Sequence, residues 1–228
     1  MYYLYYNKSN RNMNNSETIK QNIIQSAKQL YAKNLLAACD GNISYKINND
    51  TILITPTNKP KNLLTEKDFA IIDINNNVLS GNPSSERIMH LEIYKKCPKA
   101  RCVVHAHPPT AIAWTIAFPD LKELPNECIS ELIIAAGHIP IAPYALPGTS
   151  AMASAIEPLL THRIIILARH GALCWGETVT EASHAMERLE HSAEILMRAH
   201  LLGGLTKLSA EQIQELYKIR ERIGDKVI

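Results

Sequence analysis

The chain has 228 residues, 46% hydrophobic and 20% charged, with a formal net charge of +2. That size and balance fit one soluble domain with a sizeable core. The weak charge argues against nucleic acid or an anionic membrane as partner, and no apolar run approaches the roughly 18 residues of a membrane span.

The first residues, Met1-Tyr2-Tyr3-Leu4-Tyr5-Tyr6, lack the basic start and apolar core of a signal peptide. Residues 1–15, Tyr-rich then Asn-rich, read as a flexible lead-in, with a single domain over 16–228. The five cysteines, Cys39, Cys97, Cys102, Cys128 and Cys174, form no Cys-x-x-Cys pair. An odd, unpatterned set fits buried thiols in a reducing cytoplasm.

A first helix is expected from about Ser16-Glu17, because Ile19, Ile23, Ala27, Leu30 and Tyr31 recur at helical spacing. Gly41-Asn42 breaks it. Ile43 to Ile47 and Thr51 to Thr55, joined by Asn48-Asn49-Asp50, predict a β-hairpin. Thr55-Pro56-Thr57 then leaves the sheet, where proline is poorly tolerated. Phe69 to Ile74 predicts a strand. Ser84-Ser85 is placed to cap a helix through Lys96, which Cys97-Pro98 ends. Arg101 to His107 predicts another strand, and Pro108-Pro109 opens a helix to about Phe118. Ile139-Pro140-Ile141 is short and extended. Thr149 to Leu160 predicts a helix and Arg163 to Ala168 a buried strand. Thr178 to Glu181 has capping-box spacing. The long helix behind it stops at Gly203-Gly204. Interleaved helices and strands favour a central, partly antiparallel sheet covered on both sides.

Most of the nine histidines carry no more than a structural expectation. Glu187 and His191 stand at i, i+4 on the long helix, a pair that could bind metal but for which a solvated or inter-subunit face is expected. His105 and His107 differ. Strand residues at i and i+2 point the same way, so both can face one ion. His170, in Leu167-Ala168-Arg169-His170-Gly171, can join them from a neighbouring strand end. Three imidazoles leave a fourth position open, as in a catalytic zinc site. On pattern alone, metal binding and a structural role both stand. Cys102 falls on the opposite strand face from the pair.

Glu86 has two readings as well. A carboxylate at a helix start complements the helix dipole; it also suits a general base or a fourth metal ligand. Ser84 and Ser85 are caps, or hydroxyls for an anion at a helix N-terminus. Gly41-Asn42-Ile43-Ser44 is a turn, or an anion nest of exposed N–H groups.

Seven motifs in order resemble the class II aldolase/adducin-head family. They are Gly41-Asn42-Ile43-Ser44, Thr55-Pro56-Thr57, Ser84-Ser85-Glu86, His105-Ala106-His107, Ala142-Pro143-Tyr144, Gly148-Thr149 and His170-Gly171. Each is weak alone; their order across about residues 16 to 204 is specific.

The resemblance implies a three-layer α/β/α sandwich with a mixed, largely antiparallel sheet. It implies zinc, or another divalent transition metal, on His105, His107 and His170, with Glu86 as acid/base and occasional fourth ligand. It assigns Asn42, Thr57, Ser84 and Ser85 to the substrate phosphate, and Tyr144 to a place beside the site. It implies a homotetramer with inter-subunit active sites, completed by a C-terminal tyrosine that Tyr217 matches. The implied activity is aldol cleavage of a phosphorylated ketose, through a zinc-stabilised enediolate, to a dihydroxyacetone-phosphate-like product and a small aldehyde. Two alternatives lie within the family. Pentulose-5-phosphate 4-epimerases typically have aspartate where this chain has Glu86. Methylthioribulose-1-phosphate dehydratases usually have Ser-Ala-Glu, and a threonine between the paired histidines where this chain has Ala106. A third is a non-catalytic interaction domain, which would lose the zinc histidines that this chain keeps. Asn58 and Cys39 depart from the aldolase pattern beside the phosphate-binding positions.

Overall fold

The computed structural model describes residues 2–227, with side chains described from residue 16 onward. Eight strands form one sheet: β1 (Asn42–Lys46), β2 (Thr51–Ile54), β3 (Ala70–Asp73), β4 (Val78–Ser80), β5 (Cys102–Ala106), β6 (Ile141–Ala142), β7 (Ile164–Leu167) and β8 (Gly171–Gly176). Their spatial order is β4-β3-β2-β1-β5-β8-β7-β6. All pairs are antiparallel except β6 with β7.

Seven α-helices accompany it: α1 (Tyr2–Ala32), α2 (Arg87–Lys96), α3 (Pro109–Ala117), α4 (Ser130–Ala135), α5 (Ser150–Ile156), α6 (Val179–Leu201) and α7 (Ala210–Ile223). Strand alternation on β5 sorts the core. Cys102, Val104 and Ala106 pack into the cluster with Ile23, Leu30, Ala111, Met186 and Leu189, from α1, α3 and α6. Val103 packs the other way, with Met89, Ile93, Met152 and Ile156 of α2 and α5. The sheet is thus covered on both faces, and the expected three-layer α/β arrangement holds. No helix is long and apolar enough to cross a membrane among the described residues.

Several expectations shift. The first helix runs back to Tyr2 rather than starting near Ser16, because no Gly or Pro interrupts it before Gly41. The flexible lead-in expected over residues 1–15 is therefore helical in its backbone from Tyr2. The side chains of that stretch lie outside the described residues. The helix expected to Leu160 stops at Ile156 and tightens into a 3-10 turn over Glu157–Leu159. Pro158 has no N–H to continue the α-helical ladder. At the start of α2, Glu86 occupies the cap position without a side-chain cap bond, and the Ser84 hydroxyl accepts the Glu86 N–H at 3.3 Å. Thr178 does cap α6, accepting from the Glu181 N–H at 3.0 Å, while the Glu181 carboxylate turns back to the Glu177 N–H at 2.8 Å.

The α6 helix seals one face of the sheet behind the histidine-bearing strands. Leu189→Ala at its fully buried midpoint should cost about 2–5 kcal/mol. Urea unfolding checks this; a loss under about 1 kcal/mol would mean the helix packs loosely.

Candidate metal centre

The sheet register gathers one end of five strands. Asn42 of β1 lies opposite His105 of β5, and Ala106 lies opposite Ala172 of β8. Ala142 and Leu167 lie side by side at the parallel ends of β6 and β7. His107 follows β5, its N–H bonded to the Leu35 carbonyl at 2.9 Å. His170 sits in the tight turn between β7 and β8, where Arg169 adopts a left-handed φ of 60°. The Arg169 N–H is held by the Thr115 hydroxyl at 2.8 Å, and the His170 N–H by the Leu167 carbonyl at 3.1 Å. This turn aims His170 back at the β5 histidines.

The three histidines converge. One ligand nitrogen of each lies within 4.8 Å of the others. The His105 Nδ1–H donates to the Ala172 carbonyl at 2.9 Å, so its Nε2 presents a lone pair. That Nε2 lies 3.2 Å from Nε2 of His107. Two lone pairs at that distance repel unless a proton or a cation lies between them, so the donor set fits a divalent metal. Burial first, then His105 and His170 alongside, push the His107 imidazole down to about 4, keeping it in the neutral, ligating form. Asp40 stands 3.4 Å from His107 Nδ1, a carboxylate–histidine contact of the kind that orients a ligand ring.

Glu86 stands at the mouth of this set. Its Oε2 is 3.2 Å from His105 Nε2 and its Oε1 is 3.1 Å from His170 Nε2. Asn42 Nδ2 donates to Oε2 at 3.1 Å. Burial alone would raise the carboxyl, but where the His105 and His170 nitrogens facing it carry protons, their contacts reverse this and hold it well below the usual carboxylate range. The fold thus brings Glu86 together with His105 and His170.

The phosphate candidates surround Glu86. Asn42 is buried at the start of β1. Pro56 bridges Pro83, and the Thr57 N–H donates to the Asn82 carbonyl at 3.2 Å, which brings the Thr57 loop against the Ser84-Ser85 turn. Ser84 is buried and Ser85 exposed. Tyr144 is 61% exposed, on the loop beyond β6 at the same sheet end as His170. Tyr217 belongs to a different region: it lies on α7, bonded to His138 Nε2 at 2.9 Å and to Asn126 at 3.1 Å.

Two neighbours escaped the sequence reading. Lys61 is 1% exposed, and its ammonium donates to the carbonyls of Cys39 at 2.8 Å and Lys59 at 2.7 Å. Burial lowers its pKa, against the pull of Cys39, Asp40 and Glu86. No spacing distinguishes it from the exposed lysines nearby. His90, expected to be a plain helix residue, lies fully buried beneath Glu86. Its signal was legible: Glu86, His90 and Tyr94 share one helix stripe at i, i+4 and i+8.

An open three-imidazole site with a carboxylate at its mouth defines a candidate metalloenzyme centre. The model of the class II aldolase and adducin N-terminal domain matches residues 21–197. The 3-oxo-tetronate 4-phosphate decarboxylase of Haemophilus influenzae is 28% identical over 183 residues, 77% of this chain and 85% of that protein. The L-fuculose phosphate aldolase of Methanococcus vannielii is 32% identical over 166 residues, 73% of this chain and 88% of that protein. The crystal structure of L-fuculose-1-phosphate aldolase from Thermus thermophilus superposes with a TM-score of 0.74 at 29% identity, covering 84% of this chain and 98% of that one. This chain belongs to the class II aldolase and adducin N-terminal domain family. The family is metal-dependent, and the three histidines are where this chain can hold a metal.

Gly171 lets β8 approach the histidines. A Cβ there would lie 2.5 Å from the Ala106 carbonyl oxygen and 2.9 Å from His107 Cδ2. Gly171→Ala should therefore cost about 1–3 kcal/mol by overpacking and weaken metal binding, as read by thermal melting and metal stoichiometry. Full metal occupancy at unchanged stability would show that the close approach is dispensable.

Proposed function

We propose that this chain is a zinc-dependent carbon–carbon lyase that cleaves a phosphorylated ketose into a dihydroxyacetone-phosphate-like product and a small aldehyde. The observation that carries the reading is the Glu86 carboxylate spanning His105 and His170 inside the three-histidine set. His105, His107 and His170 would hold zinc. Bound there, zinc supplies a Lewis acid for the substrate oxygens on which negative charge develops.

The chain's own groups do the rest. Glu86 carries the proton to and from the carbon that receives the electron pair of the broken bond. Asn42 aims Glu86 through its amide N–H. Thr57, Ser84 and Ser85, with Asn42, present donors to the phosphate. The aldehyde oxygen exchanges its proton with a tyrosine: Tyr144 at the rim, or Tyr217 of a neighbouring copy in a homotetramer. Within one chain Tyr217 is engaged with His138, so a catalytic role for it needs that neighbour.

A second reading is decarboxylation of a phosphorylated 3-oxo sugar acid, favoured by the likeness to the Haemophilus influenzae protein over 85% of its length. It leaves the same electron pair for Glu86 to protonate, with CO2 rather than an aldehyde as the departing group.

Purified zinc-loaded protein should release aldehyde from L-fuculose 1-phosphate or a related ketose phosphate. CO2 release from 3-oxo-tetronate 4-phosphate, with no aldehyde from any ketose phosphate, would replace the first reading by the second. Glu86→Gln should keep zinc and lose turnover by about 10²–10⁴-fold; wild-type turnover in that variant sinks its role.

Tyr217 is tested by co-expression of Glu86→Gln and Tyr217→Phe chains. Partial recovery of activity is expected if the tyrosine serves a neighbouring site. Full activity of the Tyr217→Phe chain alone would remove Tyr217 from the mechanism.

A further inference from the structure

A buried polar ladder runs under the carboxylate. Asn42 and Ser44 share one face of β1. Glu86, His90 and Tyr94 share the facing stripe of the helix and its cap. His90 Nδ1 lies 2.7 Å from Ser44 Oγ, and Ser44 Oγ lies 2.7 Å from the Tyr94 hydroxyl. The Tyr94 hydroxyl also lies 3.4 Å from the Arg101 carbonyl. At the other end, Asn42 Nδ2 donates to Glu86 Oε2. Two buried atoms of these same side chains have no partner: Nε2 of His90 and Oδ1 of Asn42.

The distances favour one direction for the protons. A hydroxyl-to-oxygen bond is best near 2.7–2.8 Å, so the single Tyr94 proton is better placed toward Ser44 at 2.7 Å than toward the Arg101 carbonyl at 3.4 Å. Ser44 then gives its own proton to His90 Nδ1. A neutral ring that accepts at Nδ1 carries its proton on Nε2. The leftover pair is therefore one donor and one acceptor.

We propose that His90 is a positioning residue for Glu86: its Nε2–H reaches Asn42 Oδ1 through one buried water and so locks the Asn42 amide with its N–H groups toward the carboxylate. An unpartnered buried polar atom costs about 1–3 kcal/mol, and such pairs are commonly bridged by structural water. A flipped Asn42 would turn its oxygen on the carboxylate and repel it. The functional consequence rests on Glu86 as proton carrier; the hydrogen-bond direction does not.

The test separates the two. In protein labelled with ¹⁵N-histidine, His90, assigned by its loss in His90→Gln, should appear as the Nε2–H tautomer with Nδ1 as acceptor. Ser44→Ala should disturb that tautomer. An Nδ1–H tautomer for His90 in the native protein overturns the proposal, whatever Glu86→Gln does.

Kinetics with whichever substrate the aldehyde- and CO2-release assays identify give the second readout. His90→Leu should lower kcat by about 10–100-fold, the usual effect of losing an outer-shell partner, with KM and zinc content unchanged. His90→Gln, whose amide N–H reaches the place of Nε2, should retain most of kcat. Equal kcat in the two variants overturns the proposal, as does zinc loss that accounts for the fall. Wild-type turnover in Glu86→Gln would instead remove the base role and leave the NMR result standing.

Discussion

The convergence of three imidazole lone pairs at one end of an antiparallel sheet constrains everything around it. Nitrogens that repel one another are not a stable packing motif by themselves. They are held by hydrogen bonds: the Ala172 carbonyl on His105, the Leu35 carbonyl on the residue after β5, and the Thr115 hydroxyl on the turn before His170. The glycines follow from the same demand. Gly171 admits β8 against the histidines. Gly41, at a left-handed φ of 70°, brings the chain within 2.7 Å, measured from the Cβ it lacks, of the His105 carbonyl oxygen.

Sequence pattern showed where two-residue periodicity was unbroken. The β1–β2 hairpin, the placement of His105 and His107 on one side of β5, and Cys102 on the other all follow from alternation, and the core divides along that line. It failed where glycine replaces the pattern. Strand β8, Gly171-Ala-Leu-Cys-Trp-Gly176, has glycine at both ends, a composition that ordinarily weakens a strand. Here each glycine marks a close approach, to the histidines at one end and to Glu181 and Ala182 at the other. Helix α7 lies beyond the sequence expectations, although Ser209 and Gln212 form a complete capping box.

The site divides in the same way. The three histidines and Glu86 were legible as a candidate site because their chemistry is rare and their spacing specific. Lys61 was not, since a buried lysine looks like any other lysine until the chain folds over it. His90 was half legible. Its stripe with Glu86 and Tyr94 is in the sequence, but only the fold lays that stripe against Asn42 and Ser44. The tyrosines remain the least determined by pattern, because one is exposed at the rim and the other is bonded elsewhere in its own chain.

The two proposed reactions, with aldehyde or CO2 as the departing group, would ask the same of the centre. Both departures leave an electron pair on a carbon next to an oxygen-bearing one, and both need that pair held and then protonated. A three-imidazole metal site with a carboxylate at its mouth answers both needs. What differs is the group leaving. A departing aldehyde forms from a hydroxyl that must lose its proton, and so calls for an acid–base group such as tyrosine on that side. A departing carboxylate calls for a site that leaves it unpaired, since a cation bonded to it would stabilise the starting charge. Lys61 already spends two donors on the Cys39 and Lys59 carbonyls, and so ties its charge to the loop that carries Asp40 and Asn42. Under the proposed readings, that discrimination would fall to the groups around the departing fragment, with Tyr144 exposed at the rim among them.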